Sequence, residues 1–107
     1  MSNLEITSAD LAELLKNGAP PRLLDIRQPW EFAVVKLEGA HLATQEKVDE
    51  VLQQWERSTP IVCYCHHGVR SLQATVFLRQ QGFTNVRSLR GGINAYAQEV
   101  DPSLPRY

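Results

Sequence analysis

The chain is poor in the features that mark a disulfide scaffold, a membrane protein or a nucleic-acid binder. Of its 107 residues only two are cysteine, Cys63 and Cys65, separated by one residue. Two thiols so placed do not form the framework of a small secreted domain. Bridging them within a strand would violate disulfide geometry, so they are read as free thiols in a reducing compartment. Neither sign of charge dominates: 11 Lys+Arg stand against 12 Asp+Glu, a net of −1. That balance lacks the basic footprint of a nucleic-acid partner. No apolar run approaches the length of a bilayer span, so no membrane partner is expected. Met1-Ser2-Asn3-Leu4-Glu5 shows no positive region followed by an apolar stretch, and hence no secretory signal. The expectation is a soluble cytoplasmic protein, a single domain over residues 4–105, large enough to hold its core without disulfide or metal.

What is present alternates strand-like with helix-like pieces. Glu5-Ile6 reads as a short strand, and Thr7-Ser8-Ala9-Asp10 as a capped helix start with an acid in its first turn. Leu11, Leu14 and Leu15 supply that helix's stripe, and Gly18 is expected to end it. After Pro20-Pro21, Arg22 to Ile26 reads as a buried strand. Pro29 suits a first helical turn, which predicts a short helix from Gln28 to Val34. Leu37 to Thr44 reads as irregular. Gln45 to Trp55 is predicted helical, with Val48, Val51, Leu52 and Trp55 on one face. Pro60 opens a β-type run, Ile61 to Tyr64. A helix from Ser71 to Gln81 is stopped by Gly82, and its run Ala74 to Leu78 predicts contact on more than one side. Val86 to Leu89 is a further strand. Gly91-Gly92, too short for a nucleotide fingerprint, reads as a tight turn into a last helix reaching Val100. The fold class is α/β: a central, mainly parallel sheet flanked by helices on both faces. Trp30, Phe32, Trp55 and Phe77 are expected in or near the core.

The informative stretch is Ile61-Val62-Cys63-Tyr64-Cys65-His66-His67-Gly68-Val69-Arg70-Ser71-Leu72. A strand ending on a cysteine, followed by a glycine-containing loop and a helix, aims backbone N–H groups and a helix N-terminus at one sulfur. That favours the thiolate, the nucleophilic form. Cys65 is therefore the candidate nucleophile; a buried, inert thiol is the bland alternative, against which His66, His67 and Gly68 argue because they are not core-like. Cys63, inside the strand, reads as a small core residue, with a resolving thiol as its alternative. Cys-x-Cys-His-His is rich in ligand types, but neighbours on a strand point oppositely and no second cluster exists, so no metal is expected. Both histidines read as exposed loop residues that modulate the local field. Asp25-Ile26-Arg27 and Cys65 lie at carboxyl ends of strands, where such sheets bind ligands.

Four blocks in order resemble single-domain rhodaneses: Leu23-Leu24-Asp25-Ile26-Arg27 with Trp30-Glu31-Phe32; Gly39-Ala40; the Cys65 to Ser71 loop; and Leu89-Arg90-Gly91-Gly92-Ile93 with Ala95-Tyr96. The tail from Val100 to Tyr107 is similar to the ends of many bacterial members and of rhodanese modules fused to enzymes that activate sulfur carriers. The chain departs from the family at Lys36 and Glu38, where a histidine and a proline are usual, in a mainly structural segment. The resemblance implies a rhodanese-like fold and a thiosulfate sulfurtransferase without cofactor. In it Cys65 takes a sulfane sulfur from a small-molecule donor such as thiosulfate and passes it, as a persulfide, to cyanide or a thiol. It implies that the loop from His66 through His67, Gly68, Val69 and Arg70 to Ser71 stabilises the persulfide. Arg70 is then the group for an anionic donor, its alternative being an ordinary salt bridge. Arg27 either adds positive potential at the mouth or pairs with nearby acids. Asp25 and Glu31 are expected to brace the site.

Three rivals stand beside this reading. Phosphatases and arsenate reductases of related fold have five residues between Cys and Arg, whereas Cys65 and Arg70 enclose four, a smaller cradle. A non-catalytic regulatory module would typically have lost the cysteine. A persulfide relay keeps the Cys65 chemistry but takes its sulfur from a protein such as a cysteine desulfurase, and hands it to a sulfur carrier or a cofactor or tRNA thiolation pathway.

Overall fold

A helix start that is legible in the sequence opens the fold. In the computed structural model, which describes residues 3–107, strand β1 (Glu5–Ile6) runs into helix α1 (Ser8–Lys16). Thr7 caps that helix, its hydroxyl oxygen accepting from the Asp10 N–H at 3.1 Å. Strand β2 (Arg22–Asp25) follows, then α2 (Pro29–Val34), β3 (His41–Leu42), α3 (Gln45–Gln54), β4 (Ile61–Tyr64), α4 (Val69–Gln80), β5 (Val86–Leu89) and α5 (Gly92–Glu99). The five strands of this sheet pair in parallel, in the order β1-β5-β4-β2-β3.

Side-chain alternation along β4 divides the core in two. Val62 and Tyr64 join Ile6, Leu11, Leu89, Ile93 and Tyr96 on the α1 and α5 side. Ile61 and Cys63 join Val51, Trp55, Leu78 and Phe83 on the α3 and α4 side. Helices thus cover both faces of the sheet, and β4 is buried along its whole length. Among the described residues no helix is long and apolar enough to cross a membrane.

Several expectations are corrected. The segment read as irregular contains β3, whose pairing (Leu24 with His41, Asp25 with Leu42) is supplied by β2 and not by any local periodicity. Helix α1 ends before Gly18, at Asn17, in extended conformation. Helix α4 starts two residues earlier than Ser71 because Gly68, at φ 104°, turns the chain into it from within the loop. Its run Ala74 to Leu78 is packed on one side only: Val76 and Phe77 are exposed. Trp30 is also out of the core, 60% exposed.

Gly91 and Gly92 have φ of 76° and 66°, a region that favours glycine. Just beyond them, the Ile93 N–H donates to the Cys65 carbonyl at 2.9 Å and the Asn94 N–H to the His66 carbonyl at 3.1 Å. A Cβ on Gly92 would land on those same two carbonyl oxygens. Gly92→Ala is therefore expected to cost about 2–4 kcal/mol through strain and displacement of the Cys65 loop. A urea midpoint equal to the parent's would contradict this packing.

Candidate active site

The first turn of α5 takes up the carbonyls of Cys65 and His66, and the loop then folds back so that its later N–H groups face the sulfur. The Gly68 N–H donates to Cys65 Sγ at 3.1 Å and the Ser71 N–H at 3.3 Å. The Ser71 hydroxyl lies 3.4 Å from the sulfur and 2.8 Å from the Ser88 hydroxyl on β5. Thr75 Oγ1 donates to the Ser71 carbonyl at 2.9 Å. Ser71, Thr75 and Ser88 have no solvent exposure. Burial pushes the Cys65 thiol up, but the Ser71 hydroxyl and the amides of Ser71, Gly68 and Arg70 outweigh it, and the net shift is below the ordinary thiol value. For Cys63, burial dominates and pushes the thiol up to about 12. Two thiols one residue apart are thereby set to opposite characters.

In its burial Cys65 agrees with the bland reading. Cys65 is only 1% exposed. The loop amides face it as the strand-loop-helix order predicts, yet the sulfur lies below the surface. His67 and Val69 are exposed, while His66 is half-buried, stacked on His67 and on Tyr107 with ring centroids 4.1 Å apart in each case.

The two arginines are both engaged. Arg27 is not a free charge at the mouth: its side chain, like that of Asp25, is fully buried. Its Nε and Nη2 donate to Asp25 Oδ1 and Oδ2 at 2.8 and 2.6 Å, Nη2 also reaches the Val35 carbonyl, and Nη1 reaches the Tyr107 hydroxyl at 2.8 Å. Pairing of this kind offsets the desolvation of a buried charge. Arg70 holds Glu31 in a two-pronged pair, 2.9 Å to Oε1 and 3.2 Å to Oε2. Glu31 also accepts from the Gln28 N–H at 2.8 Å, closing a capping box on α2. Arg70 above all, together with the Gln28 N–H and Tyr107, holds the Glu31 carboxyl down at about 2, against the opposing pull of burial. Asp25 and Glu31 thus each hold one of the two arginines.

Two participants escape sequence reasoning. Ser88 is an inconspicuous small residue in a strand, and only the β4–β5 pairing, Cys63 opposite Ser88, sets it behind Ser71. Tyr107 lies 80 residues from Arg27 and 76 from Glu31, yet touches both. A polar residue at an inward strand position is the one signal that would have pointed to Ser88.

The sequence and the fold match known proteins. The chain belongs to the family of the rhodanese-like domain, whose profile matches residues 7–99. It is 35% identical over 98 residues to a sulfurtransferase of Allochromatium vinosum, with 92% of each chain covered. It is 33% identical over 104 residues to the probable adenylyltransferase/sulfurtransferase MoeZ of Mycobacterium tuberculosis, covering 95% of this chain but only 26% of that relative's length. Among solved structures, a rhodanese-related protein of Thermoplasma volcanium superimposes with a TM-score of 0.72 at 31% identity, covering 90% of this chain and 92% of that one. The chain is thus a member of the rhodanese-like sulfurtransferase family.

The hydrogen bonds at the sulfur carry a pH prediction. A thiol held below its ordinary value stays ionised to lower pH, so alkylation of Cys65 should fall off only below the pH at which a free cysteine loses reactivity. Ser71→Ala removes one of the downward influences and moves that midpoint up. A pH–rate profile unchanged in Ser71→Ala would show that the hydroxyl has no such role.

Proposed function

We propose that the protein is a sulfurtransferase of the thiosulfate type in which Cys65 carries the transferred sulfur as a persulfide. The observation that carries this reading is Cys65 Sγ lying 3.1 and 3.3 Å from the Gly68 and Ser71 amide nitrogens, in a loop with four residues between Cys65 and Arg70. The Cys65 thiolate attacks the outer sulfur of thiosulfate; the S–S bond of the donor breaks with its electron pair and sulfite leaves. The new terminal sulfur bears the negative charge that the loop amides then stabilise. Cyanide, or the thiolate of an acceptor, attacks that terminal sulfur, and the Cys65 thiolate is regenerated as leaving group. The two half-reactions are separate, as in any covalent relay.

Arg70 is the donor-binding group in this proposal. Its side chain is 42% exposed, and two of the five guanidinium N–H donors meet Glu31, which leaves three for the oxyanion end of a donor. Arg27, sealed in its pair with Asp25, makes no direct contact with the donor, and its charge is offset by that carboxylate. Arg70→Ala is expected to raise the KM for thiosulfate roughly tenfold or more, with kcat much less affected. An unchanged KM would remove Arg70 from donor binding.

The covalent intermediate has a direct signature. After incubation with thiosulfate the intact mass should rise by one sulfur, about 32 Da, and fall back on adding cyanide. The gain should be absent in Cys65→Ala. A parent protein that gains no sulfur, or a Cys65→Ala variant that still does, overturns the proposal.

A second reading keeps this chemistry and changes the donor to a protein persulfide. It is favoured by the exposed Trp30 and Val69 beside the loop, an apolar rim suited to a protein partner, and by relatives in which the matching segment is about a quarter of a larger adenylyltransferase/sulfurtransferase. The ratio of kcat/KM for a cysteine-desulfurase persulfide to that for thiosulfate separates the two.

A further inference from the structure

Sulfur transfer at Cys65 requires a donor atom in line with Sγ, yet the residue is 1% exposed. What lies over the loop is the segment that follows α5. Past α5, the Leu104 N–H donates to the Asp101 carbonyl at 3.2 Å. Beyond that point side chains hold the tail: Arg106 Nη2 donates to Asn94 Oδ1 at 3.0 Å, and Tyr107 reaches both walls of the crevice. Its ring stacks on His66 at 4.1 Å, with 20° between planes, and meets Trp30 edge-on at 5.6 Å. Its hydroxyl accepts from Arg27 Nη1 and donates to Glu31 Oε2, both at 2.8 Å. His66 belongs to the loop after β4, whereas Arg27, Trp30 and Glu31 follow β2. Tyr107 therefore ties together the two strand ends between which a ligand must enter.

We infer that Tyr107 is a selectivity gate of the Cys65 site, a positioning residue that narrows the mouth and must be displaced before a donor or acceptor reaches the sulfur. Three features fit this role. Tyr107 is 36% exposed, so its outward movement opens no core. No sheet pairing or helix includes the segment, so it swings at the cost of side-chain contacts alone. The same Glu31 oxygen that accepts from Tyr107 also accepts from Arg70 at 3.2 Å. The phenol and the proposed donor-binding arginine thus share one carboxylate oxygen, and movement of Tyr107 is felt at Arg70. A gate of this kind excludes bulky thiophiles more strongly than small ones.

The inference rests on Cys65 as the reacting thiol, but its test needs no sulfur transfer. The rate of Cys65 carbamidomethylation by iodoacetamide is followed by intact mass, with fragment ions to locate the adduct. Cys63, with no exposure, serves as the internal reporter of unfolding. Tyr107→Ala should speed Cys65 labelling about tenfold while Cys63 stays unlabelled, and Tyr107→Phe, which keeps the stack on His66, should speed it only about two- to threefold. The gain in Tyr107→Ala should be larger for 5,5′-dithiobis(2-nitrobenzoate) than for the smaller iodoacetamide. Labelling in Tyr107→Ala within twofold of the parent overturns the gate. So does labelling of Cys63 in step with Cys65, which would place the effect in fold stability, or an equal gain for both reagents. A protein that labels as expected but takes no sulfur from thiosulfate keeps the gate and loses the proposed reaction.

Discussion

The site depends on which way two peptide groups face. Each peptide carries an acceptor at one end and a donor at the other, and both must be satisfied when buried. At Cys65 and His66 the acceptors go to the first-turn amides of α5, Ile93 and Asn94, at 2.9 and 3.1 Å. With those carbonyls committed, the chain turns at Gly68, and the amides of Gly68 and Ser71 are left to face the sulfur. The helix therefore acts on the sulfur indirectly: it holds the backs of the peptides whose neighbours donate to it. Gly91 and Gly92 make this possible, because a side chain at the second of them would occupy the space of the docked carbonyls.

Around that bowl lies a chain of charged and phenolic groups that runs from Asp25 through Arg27, Tyr107 and Glu31 to Arg70. Its inner end is sealed and its outer end is wet: the Asp25–Arg27 pair has no side-chain exposure, whereas the Arg70 side chain is 42% exposed. Buried ion pairs contribute little net stability once desolvation is counted, but they define geometry strongly because breaking one strands a charge. The gradient from dry to wet seals the inner pair and leaves the outer arginine facing solvent.

The topology explains why these groups meet at all. From β2 the chain steps outward to the edge strand β3, then returns to the other side of β2 as β4. The crevice at such a reversal is where parallel sheets bind ligands. Its two walls are the segment after β2, with Arg27, Trp30 and Glu31, and the loop after β4, with Cys65 and His66.

Much of this was legible in one dimension. The alternation of strands and helices, the Thr7 cap, the Pro29 helix start and the β-type run before Cys65 are local signals, and the α/β sheet with helices on both faces follows from them. The strand-cysteine-loop-helix order pointed to a thiolate for the same reason, since a loop entering a helix must present its N–H groups somewhere. Local composition was a poor guide where the deciding contact was distant. The edge strand β3 exists because β2 offers it a partner. Phe77 and Trp30 look like core residues and face outward. Arg27 reads equally well as a surface charge until Asp25 and Val35 are seen to enclose it.

The amino-acid sequence by itself determined the kind of sheet, which sulfur the loop amides face and the direction in which they shift it, because those rest on short-range backbone geometry. Only the tertiary structure decided how that sulfur is reached. The 1% exposure of Cys65, the clasp of Glu31 on Arg70 and the placement of Tyr107 across the crevice depend on groups brought together from far along the chain. No local pattern encodes such a meeting, since it is specified by how helices and strands pack and not by what lies beside each residue.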